Sequence, residues 1–193
     1  MRYKLPVPNY KGKISVEEVI SKRRSIRKFR DFQPTDIQIS QLLWSAYGVT
    51  DDKNMFKTVP SAGATYPLEI YYLDKTGIYH YFPEEHSVKR ITEGDFRREL
   101  VNCALGQKFI AEAAISIVIC AVYERTVMYY GSRGYRYVYM EAGHCAQNIC
   151  LQAISLGLDS VCIGAFVDKD VKHLLKLPED TEPIYIVSIG ART

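Results

Sequence analysis

The sequence predicts an α+β fold, and three observations predict it. Residues 138–167 run thirty positions without a Lys or Arg, in a chain of 193 that carries 25 of them, and read as a long helix followed by a short strand. The segments EIYYLD and GIYHYF alternate about Asp74-Lys75-Thr76-Gly77, which is a hairpin signal. ISIVICAV (115–122) and IYIVSIG (184–190) are β-branched apolar runs set among helical segments, the pattern of buried strands.

Taken in order, residues 1–14 form an extended lead-in, since Pro6, Pro8 and Gly12 forbid an early helix. Ser15 and Glu18 make a capping box that opens a helix through about Arg23. The helix empties into SKRRSIRKFRDF, the densest basic run in the chain, which Pro34 breaks. A second helix spans about 37–47, with Ile39, Leu42, Leu43 and Ala46 on one face and Gly48 at its end. Residues 49–68 read as a shaped loop, fixed by Pro60, Gly63 and Pro67. After the hairpin, two short helices lie within 93–113 and precede the strand at 115–122. The tyrosine-rich YYGSRGYRYVY (129–139) reads as an aromatic lid, with a tyrosine-rich packing surface as its alternative.

The long helix carries small residues at helical spacing (Ala142, Ala146, Cys150, Ala153, Gly157) and bulky ones on other faces (Tyr139, Ile149, Ile154, Leu158). Its third stripe, Glu141, His144, Asn148 and Ser155, is polar but mostly uncharged, so the helix reads as a post surrounded on all sides. His144 reads as a core histidine. Gly157 ends the helix, SVCIGAF follows as a strand, a short helix covers 168–175, and the 178–183 turn leads into the last strand. No domain boundary appears, so 1–193 reads as one unit.

A net charge of +3 is too small to argue for nucleic acid. No apolar run reaches the roughly 18 residues a bilayer span needs, and the N-terminal segment has no apolar core, so neither a membrane nor secretion is expected. Five cysteines, with no C-x-x-C pair, read as buried thiols in a reducing cytoplasm. The four histidines lack metal-ligand spacing, and no metal is expected.

Arg23, Arg24, Ser25 and Arg27 are what a phosphate monoester wants: planar, bidentate donors with one hydroxyl beside them. A solvated charge run and a nucleic-acid patch remain alternatives for the same residues. Nucleophile motifs, a P-loop and a dinucleotide fingerprint are all missing. A phosphate candidate, tight glycine loops and many aromatics suit chemistry carried by a bound cofactor.

RRSIRKF, PSAGATYPLEIY, RGYRYVYMEAGHCAQNICLQAISLGLDSVCIGAF and IYIVSIGAR resemble, in order and spacing, the FMN-dependent nitroreductase family, nearest its SagB-type branch. The resemblance covers nearly the whole chain. It implies a nitroreductase-like fold, with a central, mostly antiparallel sheet flanked by helices and the long helix at a homodimer interface. It also implies one FMN in each of two interfacial clefts. Arg23, Arg24, Ser25 and Arg192 would hold the FMN phosphate, and Arg27 would reach the N1–O2 edge, where a cation stabilises reduced flavin. Pro60, Ser61 and Ala62 of the other protomer would pack under the ring. Ile163, Gly164 and Ala165 would present backbone amides toward N5 and O4, and a glycine there leaves room for the approach.

Two departures stand out. Ala64 occupies the place where many family members put an Asn on the flavin. The azoline-oxidising members share a Lys-Tyr pair, for which Arg136-Tyr137 is the nearest analogue here. The resemblance implies ping-pong hydride transfer through flavin N5, from NAD(P)H to a small nitro, quinone-type or conjugated acceptor. Tyr130, Tyr135 and Tyr137 are the candidates for contact with that acceptor. The alternatives are azoline oxidation in a peptide natural-product pathway and a flavin-binding protein without turnover.

Overall fold

The computed structural model describes residues 2–193. Strand β1 (Arg2–Lys4) precedes helix α1 (Val16–Lys22), strand β2 (Phe29–Arg30) and helix α2 (Asp36–Tyr47). Two short strands, β3 (Val49–Asp51) and β4 (Phe56–Lys57), come before β5 (Leu68–Asp74), β6 (Gly77–Phe82) and β7 (Ser87–Glu93). Helices α3 (Arg97–Cys103) and α4 (Phe109–Glu112) lead to β8 (Ile115–Ala121), then α5 (Glu124–Tyr130) and α6 (Arg133–Ser155). Strand β9 (Asp159–Ile163), helix α7 (Asp168–Leu175) and β10 (Glu182–Arg192) complete the chain.

The main sheet runs β1-β7-β6-β5-β8-β10-β2, with β9 also paired to β10, and every named strand pair is antiparallel. Strand β8 lies between β5 and β10 and is buried at all seven residues, as a β-branched run covered on both faces must be. Its residues split by the two-residue period of a strand. Ile115, Ile117 and Ile119 pack with α2 and α6, whereas Val118 and Cys120 pack with α3, α4 and α7. The result is three layers, with helices on both faces of the sheet.

Local signals explain the element ends. Ser15 Oγ accepts from Glu18 N at 3.2 Å to cap α1, and Thr35 with Gln38 forms a full capping box at α2. Asp74 Oδ1 accepts from the amides of Thr76 and Gly77 at 2.7 and 3.2 Å, closing the β5–β6 turn. At the end of α6, Gly157 has φ +73° and Leu158 N donates to Ala153 O at 2.8 Å, a Schellman closure.

Four features differ from the sequence reading. The 49–68 segment contains the β3–β4 pair, and β7 occupies residues to which the sequence pattern assigns nothing, because Lys89 and Arg90 sit at its centre and leave no apolar run. The tyrosine-rich 129–139 segment is helical: α6 begins at Arg133, and only Gly131 and Ser132 separate it from α5. His144 is exposed instead of sitting in the core. It belongs, with Tyr139, Met140, Gly143 and Gln147, to a strip of α6 that faces away from its own sheet.

Helix α5 closes onto α6 at Gly134, where an added Cβ would stand 2.8 Å from Val127 Cα and 3.0 Å from Val127 N. Backbone cannot give way as a side-chain tip can. We expect Gly134→Ala to destabilise the protein by about 1–3 kcal/mol through overpacking, although alanine is favoured by about 1 kcal/mol in helix propensity alone. A raised melting temperature would show that the α5–α6 contact is loose.

Candidate functional site

Helix α1 stops at Lys22, and the basic segment then runs beside β9: Ile26 N donates to Ser160 O at 3.0 Å. The chain continues into β2, which pairs Arg30 with Ala191 and Phe29 with Arg192 at the end of β10. The N-terminal arginines and the C-terminal Arg192 are thereby carried to the same end of one strand. Arg24, Ser25, Arg27 and Arg192 are exposed and Arg23 is half-buried. Arg24 Nη1 donates only to the carbonyls of Ser21 (3.0 Å) and Arg23 (2.7 Å). Among the described residues, none of these arginines is paired with a carboxylate. The donor set is therefore free for an anion.

Strand β9 ends at Ile163, which is buried, and delivers Gly164 and Ala165 to the surface. Gln107 Nε2 donates to Ala165 O at 3.0 Å and steadies the turn. A Cβ on Gly164 would meet nothing closer than the Tyr185 ring at 3.7 Å, and its φ is not positive. Nothing within this chain requires a glycine there.

The Pro60–Ala62 segment leads into a 3-10 turn at Ala62–Ala64. Gly63, Ala64 and Tyr66 all hold left-handed backbone, with φ of 59°, 52° and 44°. For the two non-glycine residues this is strained, and at Ala64 it is the conformation an Asn adopts most readily. Tyr66 N donates to Ser61 Oγ at 2.9 Å, and the Thr65 and Thr126 hydroxyls meet at 2.8 Å. Beneath this turn lies a polar network that the sequence reading did not assemble. Tyr47 Oη donates to Glu141 Oε1 at 2.6 Å and accepts from Leu68 N at 3.2 Å. Lys57 Nζ lies 4.4 Å from the centroid of the Tyr47 ring and pairs with Glu84 at 2.9 Å. Burial raises the Glu141 pKa against the opposing pull of Ser61, Tyr47 and Lys57. Its signal in the sequence is a single carboxylate within 138–155, a stretch with no other Asp, Glu, Lys or Arg.

Of the tyrosine candidates, Tyr130 touches this turn most closely: a Cβ on Gly63 would stand 2.6 Å from its hydroxyl. Gly63, Ala64, Thr65, Arg125, Met128, Tyr129 and Tyr130 line an open cleft of about 370 Å³. Tyr137 stacks edge-on against Tyr130 at 5.2 Å, whereas Tyr135 packs on Tyr123, also at 5.2 Å, away from that lining.

The structure does not gather all the candidates around one point of a single chain. Ser61 lies with Glu141, while Arg23 lies near Cys150 and Cys162 and acts on both sulfurs electrostatically. Glu141 and Cys150 are nine residues apart on α6, about 2.5 turns and ~13 Å, so they project from opposite sides of the helix.

The nitroreductase family model matches residues 20–191. The chain is 48% identical over 185 residues to MJ1384 of Methanocaldococcus jannaschii, assigned as a nitroreductase, covering 93% of this chain and 92% of that protein. It is 26% identical over 160 residues to the microcin B17-processing protein McbC of Escherichia coli, covering 77% and 59% of the two chains. A crystal structure from Ralstonia eutropha, also assigned as a nitroreductase, superposes with a TM-score of 0.90 at 26% identity, over 100% of this chain and 90% of that one. The architecture is thus nitroreductase-like, and the likeness to McbC accords with the SagB-type branch.

Because Glu141 has a folded-state pKa above its ordinary 4.5, the native state holds this proton more tightly than the unfolded chain does. Its contribution to stability is complete below that value and is lost as pH rises through the folded pKa. Glu141→Gln removes the titration and keeps an acceptor for Tyr47. Urea unfolding should then show wild-type stability falling relative to the variant as pH rises above 4.5. A pH-independent difference would show that Glu141 is not perturbed.

Proposed function

The chain belongs to the nitroreductase family, and from that premise we propose that it is an FMN-dependent oxidoreductase that takes electrons from NAD(P)H. The observation that carries the reading is the set of arginines without carboxylate partners, brought together from both ends of the chain where β2 meets β10. Clustered guanidiniums, of which Arg23 is half-buried and the others exposed, repel one another until an anion sits among them.

When bound, FMN supplies hydride transfer at N5, from NAD(P)H to a small nitro, quinone-type or conjugated acceptor. Arg23, Arg24, Ser25 and Arg192 hold the phosphate through charge-assisted hydrogen bonds. Arg27 sets a positive charge at the N1–O2 edge. Ile163, Gly164 and Ala165 offer backbone amides to the ring, and the absence of a side chain on the exposed Gly164 leaves room for that approach. Tyr130 and Tyr137, beside the cleft, are placed to stack on a planar acceptor. No strong protein acid or base is needed for this transfer.

Pro60, Ser61 and Ala62 join the site from a second copy, which accounts for their separation from the arginines within one chain. The reading therefore includes a homodimer of one domain spanning 1–193, working in a reducing cytoplasm. The exposed, nearly uncharged strip of α6 supports it, as do Val16, Ile20, Ile37 and Met128, all more than half exposed. Among the described residues, no helix is long and apolar enough to cross a membrane.

The match to McbC favours a second reading, dehydrogenation of azolines in a peptide natural product. Arg136 and Tyr137 stand in place of the family's Lys-Tyr pair, and an arginine is a poorer proton acceptor than a lysine. The oxidoreductase with small acceptors is therefore preferred.

Two measurements test the reading. Apoprotein should bind FMN far better than riboflavin, and Arg24→Ala should weaken FMN by about ten- to a hundredfold with little effect on riboflavin. Arg24→Ala and Arg192→Ala should combine non-additively, since both act on one phosphate. Equal affinity for the two flavins removes the phosphate site, and bound FMN that neither NADH nor NADPH reduces leaves only a flavin carrier.

Sedimentation should give twice 22.1 kDa. Ala146 is buried against its own sheet, so a charge there would test folding. Gly143, with open space around it, is the cleaner probe. Gly143→Arg should yield a folded monomer; an unchanged dimer places the interface elsewhere.

A further inference from the structure

Cys150 on α6 and Cys162 on β9 bring their sulfurs to 3.5 Å. Cys150 is buried, whereas Cys162 is part-exposed. Polar groups surround the pair: Ser160 lies beside Cys150, Tyr185 lies beside Cys162, and the Arg23 charge bears on both. The other three cysteines have no such setting, and burial pushes each of their thiols up. Cys150 is drawn down to about 7, first by the hydrogen bond from Cys162, while Cys162 is pushed up as the donor. Two sulfurs sharing one proton behave as a unit, and the proton can rest on either.

We propose that Cys150 and Cys162 form a redox site that a peroxide oxidises to an intramolecular disulfide and an external thiol reduces again. With the shared proton passed to Cys150, the part-exposed Cys162 sulfur is the thiolate that attacks one oxygen of hydrogen peroxide. The O–O bond breaks, Cys162 becomes a sulfenic acid, and hydroxide leaves and takes up a proton as water. Cys150 then attacks the Cys162 sulfur, the S–O bond breaks and a second water departs with the Cys150 proton. In sum, two thiols and one peroxide give one disulfide and two waters. Two exchange steps with an external dithiol restore both thiols. The bond ties α6 to β9 one residue before Ile163 and beside Arg23. Its formation does not require a bound flavin.

The test uses the purified protein as isolated, treated with hydrogen peroxide, alkylated under denaturing conditions and digested with trypsin. No Lys or Arg lies between Arg136 and Lys169, so one peptide carries Cys145, Cys150 and Cys162. In the wild type this peptide should lose two hydrogens, with only Cys145 alkylated, and dithiothreitol should reverse the change. The pair should react at least about tenfold faster than Cys103 at neutral pH. In Cys150→Ser, the Cys162 sulfenic acid has no resolving thiol and should advance to sulfinic acid, whereas Cys103→Ser should leave disulfide formation unchanged. A wild type in which Cys162 reaches sulfinic acid without a disulfide, in which Cys145 pairs instead, or in which Cys103 reacts first would overturn the proposal. The wild-type measurement decides even where a serine variant fails to fold.

Discussion

The packing of α6 against the sheet is the constraint on which the rest of the molecule depends. Ala142, Ala146 and Ala153 line its inner face, each almost fully buried, and small side chains let a 23-residue helix lie close against β8, β9 and β10. Close approach means that every residue on the flanks of α6 is fixed by the same contact. Toward one end, Glu141 reaches Tyr47 and the turn at 62–64. Toward the other, Cys150 reaches β9 and the basic segment that follows α1. A change in helix rotation would disturb both regions together, because cores packed at this density do not deform continuously.

Each flank keeps something that stability alone would discard. Around the turn, two non-glycine residues are held in left-handed backbone and a carboxylate is buried on a tyrosine. Beside β9, unpaired guanidiniums stand near a thiol pair drawn toward ionisation. Strain and unfavourable burial of these kinds persist where the surrounding structure over-determines them, and they gather at functional sites. Strand β8, by contrast, is satisfied: it is sealed on both faces, and its one buried hydroxyl, Ser116, meets Ser188 at 2.8 Å.

What was legible in the sequence follows from what is local. The Ser15 cap, the Asp74–Gly77 turn, the β8 run and the Gly157 terminator all act within a few residues, and each appears where its pattern puts it. Strand β7 was not legible, because Lys89 and Arg90 at the centre of Ser87–Glu93 interrupt any apolar alternation, although β1 and β6 pair it on both sides. The 129–139 segment looked like a loop since glycine and tyrosine are poor helix formers; tertiary contact at Gly134 overrides that preference. For the candidate site, the arginines could be read because charge density is visible in one dimension. Glu141 with Tyr47, 94 positions apart, and Cys150 with Cys162 could not, since burial and pairing exist only once the chain is folded.

The same helix geometry bears on how a ligand could be shared between copies. Residues that a single flavin would need on both faces lie on opposite sides of α6, and no side-chain rotation within one chain spans a helix about 10 Å across. Two copies related by a twofold axis remove the difficulty, because the turn of one can then face the arginines of the other. The exposed strip at Tyr139, Met140, Gly143, His144 and Gln147 suits that contact. It lacks the lysines and glutamates that normally keep a surface helix in water, and Gly143 lets a facing backbone come near. A helix that serves its own core with alanines and a second chain with an uncharged face needs two different kinds of small and neutral residue, one stripe for each. In the proposed homodimer that double demand would account for the absence of lysine and arginine from the part of α6 that follows Arg136.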